Sequence, residues 1–422
     1  MYYPDRKRHN KKWKIIIPLF TLLSIISIFI YFNYFKNNEV EIENSYAICD
    51  YTNQETRELF TSENANYLIE DYFFYGQTLN LFNSKYVMNE DDDLYGKTVN
   101  LKNLCDGQNY VFIIDSKVDL KIPLENLDIG FYQLSVNEGN EFKNLIYNQN
   151  INEVFYTITK DNSNHKITLS NNKNRFDDFP NENFLKENYL FLEVTDESAP
   201  DDYLDLVIDP EFLELTMNGV DYGSSVNNTT QAEVNLKVSK ELKEILEEKG
   251  LRVGLTRDSE PTPSYGNNSR LEYSYDNHAK YYLLLSNKFA NDSKYHGYQI
   301  YYSAHASSQL ATTISKELED SQLLTPSNAF SSNGVKSSGL VDGFDGLKMI
   351  RESGGKALAA GTFSEQSAEN SYFNENNPYG AQAIRIDLGY LSNEEDFDAL
   401  TKNTSDIARY IANGFLKYLE ID

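Results

Sequence analysis

The chain has 422 residues and a formal net charge of −26, a length that accommodates two ordinary domains. Its excess of acid argues against nucleic acid as a partner and against charge-driven docking on anionic lipids or wall polymers. Five histidines and two cysteines leave little material for a conventional metal site.

The first 36 residues set the topology. Arg6, Lys7, Arg8, Lys11, Lys12 and Lys14 precede an uncharged apolar run from Ile15 to Phe32. As a helix, about 18 residues cross roughly 27 Å, close to the hydrocarbon thickness of a bilayer. Pro18 falls near the start of that helix, where a missing N–H is tolerated. The basic flank predicts a cytoplasmic N-terminus and an extracytoplasmic remainder. Asn33-Tyr-Phe-Lys36 follows without a small-residue cleavage site, which favours a retained single-pass anchor over a signal peptide. Residues 1–36 carry +6, leaving −32 for the rest, and such a balance predicts a solvated acidic surface.

Residues 37–45 are polar and aperiodic and read as a tether. From 46 to 198, short alternating runs are divided by Asn, Asp and Gly turns. Tyr110–Ile114, Gly130–Val136, Phe155–Thr159, Lys166–Leu169 and Asn188–Val194 are such runs, and Asp161-Asn-Ser-Asn164 reads as a hairpin turn. The pattern predicts an antiparallel β-sandwich-like domain. Its many aromatic residues read mainly as core, with stacking of exposed rings on sugars as the alternative. Cys49 and Cys105 both fall in the exported part. A disulfide closing a long loop, worth about 3–5 kcal/mol in the chain-entropy model, and two separate buried thiols are both open. No catalytic constellation stands out here, so the module reads as a spacer or a partner-binding unit.

Asp196-Glu-Ser-Ala-Pro-Asp-Asp202 is an acidic, turn-rich break, after which the pattern changes. Leu204–Ile208, apolar apart from Asp205, reads as a strand. A helix follows with Val234, Val238, Leu242 and Ile245 on one face and Gly250 as its stop. Leu251–Leu255, Tyr281–Leu285, Tyr298–Tyr302 and Ala383–Leu388 read as further strands, with a helix near Leu310–Leu318. Alternation of this kind predicts an α/β domain with its sheet layered by helices. Asp320–Phe344, rich in Ser, Asn and Gly, reads as an inserted loop. Ser392-Asn-Glu-Glu395 has the form of a capping box, and a last amphipathic helix carries Ile407, Ile411 and Phe415.

Three stretches of this half stand in a telling order. They are Leu206-Val-Ile-Asp-Pro210, then Gln231-Ala-Glu-Val-Asn-Leu236 running on to Leu255-Thr-Arg-Asp258, then Ile384-Arg-Ile-Asp-Leu-Gly-Tyr-Leu-Ser-Asn393. With the closing helix Ile407–Leu419, the set resembles the zinc-dependent N-acetylmuramoyl-L-alanine amidases of the type-3 family, which cut the stem peptide from peptidoglycan. The resemblance covers about residues 203–420 and rests on the set, no single piece being specific. It implies a zinc held by a histidine, a glutamate and a second histidine. A water in the fourth position is made acidic by the metal, and a further glutamate takes its proton.

Each of those positions has changed in this chain. Phe212 stands where the first histidine belongs, Gln231 where the helix-opening glutamate belongs, and Lys288 where the second histidine belongs. Asp387 occupies the general-base position, one methylene short. Ser303-Ala-His-Ala-Ser307 offers another register, with His305 as the second histidine. Lys288 is preferred, because Gly297–Tyr302 and the helix at Leu310–Leu318 then both find counterparts in the family. Lys288 and Asp387 are expected to pair across the site's floor, and Phe212 to fill the space of the metal. The expectation is a membrane-anchored, extracytoplasmic pseudoenzyme without zinc or another cofactor, binding peptidoglycan or a cell-wall enzyme as a regulator or scaffold. An active amidase with an unconventional site, built on Asp387, Asp209 and Glu211, is the alternative.

Overall fold

The computed structural model describes residues 66–75, 77–83, 94, 96–113, 121–125, 127–139, 141–158, 164–171, 187–196, 203–329, 333–341, 344–354 and 381–421. The apolar run Ile15–Phe32, the tether and Cys49 lie outside the described residues. None of the described helices is long and apolar enough to cross a membrane. Cys105 is disulfide-bonded.

The N-terminal module is built of strands. In chain order these are β1 (Asn66–Ile69), β2 (Asp71–Tyr75), β3 (Thr78–Phe82), β4 (Thr98–Asn103), β5 (Asn109–Ile113) and β6 (Lys121–Pro123). They continue with β7 (Gly130–Glu138), β8 (Glu141–Tyr147), β9 (Asn152–Ile158), β10 (Asn164–Ser170) and β11 (Phe191–Asp196). Strand β4 shows the local logic: Val99, Leu101 and Asn103 turn inward while Thr98, Asn100 and Lys102 turn outward, the period-two alternation of a half-buried strand. The larger sheet runs β1-β8-β7-β11-β10-β9, with β4 also on β7 and β5 on β4. A smaller sheet runs β2-β3-β6. Phe74, Leu79 and Ile122 of the small sheet share one apolar core with Val99, Leu134, Leu145 and Leu192 of the large one. One pairing departs from the antiparallel expectation: β1 lies parallel to β8. No hairpin joins these two distant strands, so no turn imposes their direction.

The C-terminal domain opens with β12 (Leu206–Pro210). Two small hairpins follow, β13 (Glu214–Thr216) with β14 (Gly219–Asp221) and β15 (Ser225–Val226) with β16 (Thr229–Thr230). Then come α1 (Gln231–Glu248), β17 (Val253–Leu255), α2 (Arg270–Asp276), β18 (Tyr281–Lys288), β19 (Gln299–Tyr302) and α3 (Gln309–Ser321). The chain closes with β20 (Val335–Ser337), the pair β21 (Leu340–Val341) and β22 (Phe344–Asp345), α4 (Lys348–Gly354), β23 (Gln382–Tyr390), α5 (Glu394–Lys402) and α6 (Thr404–Tyr418). The sheet order is β17-β12-β18-β23-β19-β20. Strands β17, β12, β18 and β23 are mutually parallel, and β19 runs against β23. Val238 of α1, Ile314 of α3 and Ile411 of α6 cover one face of the sheet, while Leu271 of α2 and Ile350 of α4 cover the other. Buried on both faces, β18 is apolar along its first five residues, as a central parallel strand requires.

Two local readings change. The segment Asp320–Phe344 supplies an edge strand, β20 pairing with β19, so part of it is sheet rather than loop. The cap of α5 is Asn393, whose side chain accepts from the Asp396 amide. Ser392 instead accepts from the Ala290 amide through its hydroxyl, at 2.9 Å.

The module meets the N-terminal edge of this sheet. Thr78 Oγ1 donates to Gln382 Oε1 at 3.1 Å, and Asn80 Nδ2 donates to the His305 carbonyl at 3.4 Å. Glu125, 1% exposed, faces Tyr281, and burial pushes its carboxyl up to about 8. The opposite, C-terminal edge is left to the site.

Candidate functional site

Parallel strands deliver their C-terminal ends to one edge, and four positions singled out from the sequence gather there. Phe212 follows β12, Gln231 opens α1, Lys288 ends β18 and Asp387 lies late in β23.

The turn after β12 is forced. Phe212 and Leu213 have φ of 70° and 52°, the left-handed region that costs a side-chain-bearing residue about 1–2 kcal/mol. Two buried arginines hold it by its carbonyls. Arg257 Nε donates to Pro210 at 2.8 Å, and its Nη2 donates to Glu211 and to Ala232, each at 3.1 Å. Arg270 donates to the Pro210 and Phe212 carbonyls. Burial, with Arg270 close by, lowers Arg257 to about 10. Asp209, fully buried, accepts from Thr256 Oγ1 at 2.6 Å, from the Tyr282 hydroxyl at 2.5 Å and from Arg270 at 3.4 Å. It belongs to this scaffold and not to the open edge.

Gln231 is 4% exposed, and the backbone engages both ends of its amide. Its Oε1 accepts from the Ser224 N–H at 2.8 Å, and its Nε2 donates to the Asn287 carbonyl at 2.6 Å. Asn287 answers by donating to the Gln231 carbonyl at 3.2 Å and to Asn235 Oδ1 at 2.6 Å. Gly223, at φ +70°, packs against this amide. A Cβ there would lie 2.8 Å from Gln231 Oε1 and 3.1 Å from the Phe212 ring.

On the other side of the edge is a network of alternating charge. Arg385 holds Glu211 with two parallel bonds of 3.0 Å each, and its Nε donates to Asp387 Oδ1 at 2.7 Å. Lys288 Nζ stands 3.0 Å from Asp387 Oδ2, so the pairing expected from the sequence is present. Ser286 donates to Glu211. Burial works against the Arg385 charge, yet Asp387 and Glu211 outweigh it and raise its pKa. Tyr301, opposite Arg385 across β19 and β23, is pushed up to about 12 by burial and then by Asp387. Asp387 is 2% exposed while the Lys288 side chain is 37% exposed. Of this ion pair, the ammonium is the partner that meets solvent.

His305 is not at this edge. Because β19 runs antiparallel to β23, with Tyr302 opposite Ile384, the chain leaves β19 at the N-terminal edge, where the His305 carbonyl meets Asn80. Lys288 therefore holds the position at the end of β18. From the sequence Glu211 reads as a strand-end acid beside Asp387 and Asp209, whereas Arg385 has no role in that reading. The signal for Arg385 was available: it is two residues from Asp387 on one strand, hence on the same face.

A phenyl ring, an amide with both polar atoms engaged and an ammonium ion do not make a donor set for zinc, which takes His, Cys and carboxylate ligands. Among the described residues, no group of three or more His, Cys, Asp or Glu side chains is placed to share a metal. Both carboxylates of the edge are neutralised by cations of the chain itself.

The family model for N-acetylmuramoyl-L-alanine amidase matches residues 207–417, and the chain belongs to that family. Among solved structures it is similar to the amidase AmiC2 of Nostoc punctiforme, at 19% identity and a TM-score of 0.37, over 53% of this chain and 99% of that one. It is also similar to the catalytic domain of CwlV from Bacillus (Paenibacillus) polymyxa var. colistinus, at 20% identity and a TM-score of 0.37, over 52% and 99%. The CwlD amidase of Clostridioides difficile, solved in complex with the GerS lipoprotein, gives 21% identity and a TM-score of 0.37, over 52% and 100%. No curated protein matches the chain.

Proposed function

We propose that this chain is a membrane-anchored, extracytoplasmic cell-wall protein whose amidase domain has given up zinc and hydrolysis and serves as a binding regulator. Peptidoglycan is its ligand, or a cell-wall enzyme its partner. The apolar run Ile15–Phe32 supplies the anchor, and the β-rich module, read as sandwich-like, stands between anchor and amidase domain. The observation that carries the loss of catalysis is Gln231, whose amide is held by Ser224 and Asn287 where a glutamate ligand belongs. The Lys288 ammonium against Asp387 supports it: a general base at that position is already ion-paired, and the second ligand position carries a positive charge that repels a metal ion. The full chain, purified in detergent and incubated with sacculi, is expected to be retained by them and to release no stem peptide, with or without added zinc. Zinc-dependent release would overturn the reading in favour of an active amidase with an unconventional site. A protein neither retained by sacculi nor bound to a wall enzyme would remove the binding role.

A further inference from the structure

We propose that the β13–β14 hairpin, beside the amidase edge, is the docking element for a protein partner whose apolar cleft is bordered by lysine and arginine. The inference deepens the partner arm of the reading above and rests on it, adding the surface used and the chemistry of what covers it. Gly223, packed against Gln231 and Phe212, ties the hairpin to the edge. Every residue from Leu215 to Tyr222 is exposed, and the two strands form a sheet of their own. The base is fixed at both ends. The Leu213 carbonyl accepts from the Thr262 N–H and the Tyr222 carbonyl from the Ala232 N–H, each at 3.2 Å. Asp221 Oδ1 accepts from the Gly223 N–H at 2.8 Å. Thr216 closes the turn: its Oγ1 donates to the Gly219 carbonyl at 2.8 Å and accepts from the Asn218 N–H at 3.2 Å. The projection is preformed, so a partner loses little in ordering it.

The two faces of the hairpin differ in chemistry. Leu215 lies opposite Val220, and Glu214 opposite Asp221, so alternation sets the aliphatic pair on one face and the two carboxylates on the other. Met217 is fully exposed at the tip, and Leu215, Val220 and Tyr222 are exposed below it. Four of the ten large hydrophobic side chains exposed among the described residues thus fall within eight residues; single exposed ones are ordinary, but a cluster marks an interaction site. A two-stranded hairpin is marginal in water, and its apolar side chains stabilise it only once something covers them. Charge selects the occupant. Leu215, Met217 and Val220 carry no side-chain hydrogen-bonding group for a sugar. Glu214 and Asp221 are like charges set directly opposite, an arrangement that destabilises a ladder, and neither is in an ion pair among the described residues. They repel anionic lipid headgroups, and they repel the same carboxylates of a second copy. A cationic rim on a partner protein satisfies both, while its apolar cleft takes Leu215, Met217 and Val220.

The test places a photoreactive side chain at Asn218, on the exposed tip, in the full chain within the envelope of the cells that make it. That side chain is the probe, and the cross-linked peptides are read by mass spectrometry. One exported protein is expected, joined through an apolar segment flanked by Lys or Arg. Leu215→Thr with Met217→Gln should cut the product about tenfold or more, and so should Glu214→Lys with Asp221→Lys, each at an unchanged unfolding midpoint of the purified chain. Should either pair lower the midpoint, Met217→Gln alone, on a fully exposed side chain, should still cut the product about threefold or more. Cross-links to lipid alone, to a second copy or to nothing, or a product that the variants leave unchanged, overturn the inference. Retention of the wild-type chain by sacculi is measured alongside. If it persists where no protein is joined, the peptidoglycan arm of the reading survives and the hairpin inference alone is wrong; if it is absent too, both fail.

Discussion

The C-terminal edge of the amidase sheet and the joint under its N-terminal edge treat buried acid in opposite ways. At the C-terminal edge, Glu211 and Asp387 are each within 3.0 Å of Arg385, and Lys288 closes the set. At the joint, Glu125 faces the Tyr281 hydroxyl with no cation among the groups that act on it, and burial drives it to about 8. One region neutralises acid with a partner, the other with a proton. The edge is a self-satisfied ionic scaffold, while the joint is an interior contact sealed from water.

That contrast can be broken in several places. Arg385→Met should have the largest effect, because it removes the cation shared by two carboxylates, leaving Glu211 only Ser286 and Asp387 only the half-exposed Lys288. About 3–5 kcal/mol of stability should disappear, read as a drop in the midpoint of chemical unfolding of the full chain. The pH dependence of Glu125 comes next. Its folded pKa is raised above the ordinary 4.5 to about 8, so the native state holds the proton longer. Its stabilisation is whole below the unfolded pKa and declines as pH climbs toward the folded one. Between pH 5 and pH 7 the loss is about 2–3 kcal/mol. Glu125→Gln should remove that slope, and equal slopes in wild type and variant would contradict the protonated joint.

Gln231→Glu tests the amide lock more gently. The carboxylate can still accept from Ser224 but sets a charge against the Asn287 carbonyl, and about 1–3 kcal/mol should be lost; a stabilised variant would show that the site still favours an acid. Lys288→Met should be the smallest, under about 1 kcal/mol, because its side chain is 37% exposed and Asp387 keeps Arg385. A larger loss would make the ammonium a structural member of the network.

Much of the C-terminal half was legible because its signals are local. Tyr281–Leu285 is apolar without a break and could only be a buried strand, and Val234, Val238 and Leu242 mark one helical face. The order of motifs placed Lys288 and Asp387 at neighbouring strand ends, where the structure has them. What was missed depends on contacts between distant residues. Glu211 reads as a candidate acid at a strand end, and its pairing with Arg385, far off in the chain, exists only once the sheet places β12 and β23 one strand apart. Val335–Ser337 is too short and polar to announce a strand, and acquires one only by pairing with β19. The parallel pairing of β1 with β8 has no turn to declare it. Asn393 took the cap from Ser392 because its side chain reaches the Asp396 amide, a choice between adjacent residues that spacing alone does not make.

The proposed inability of Phe212, Gln231 and Lys288 to hold zinc is open to direct measurement. Equilibrium dialysis of the full chain against zinc, with metal analysis of the protein, tests it most directly. No stoichiometric zinc is expected, only a trace level that Gln231→Ala and Asp387→Ala leave unmoved. One zinc per chain, lost on either substitution, would contradict it.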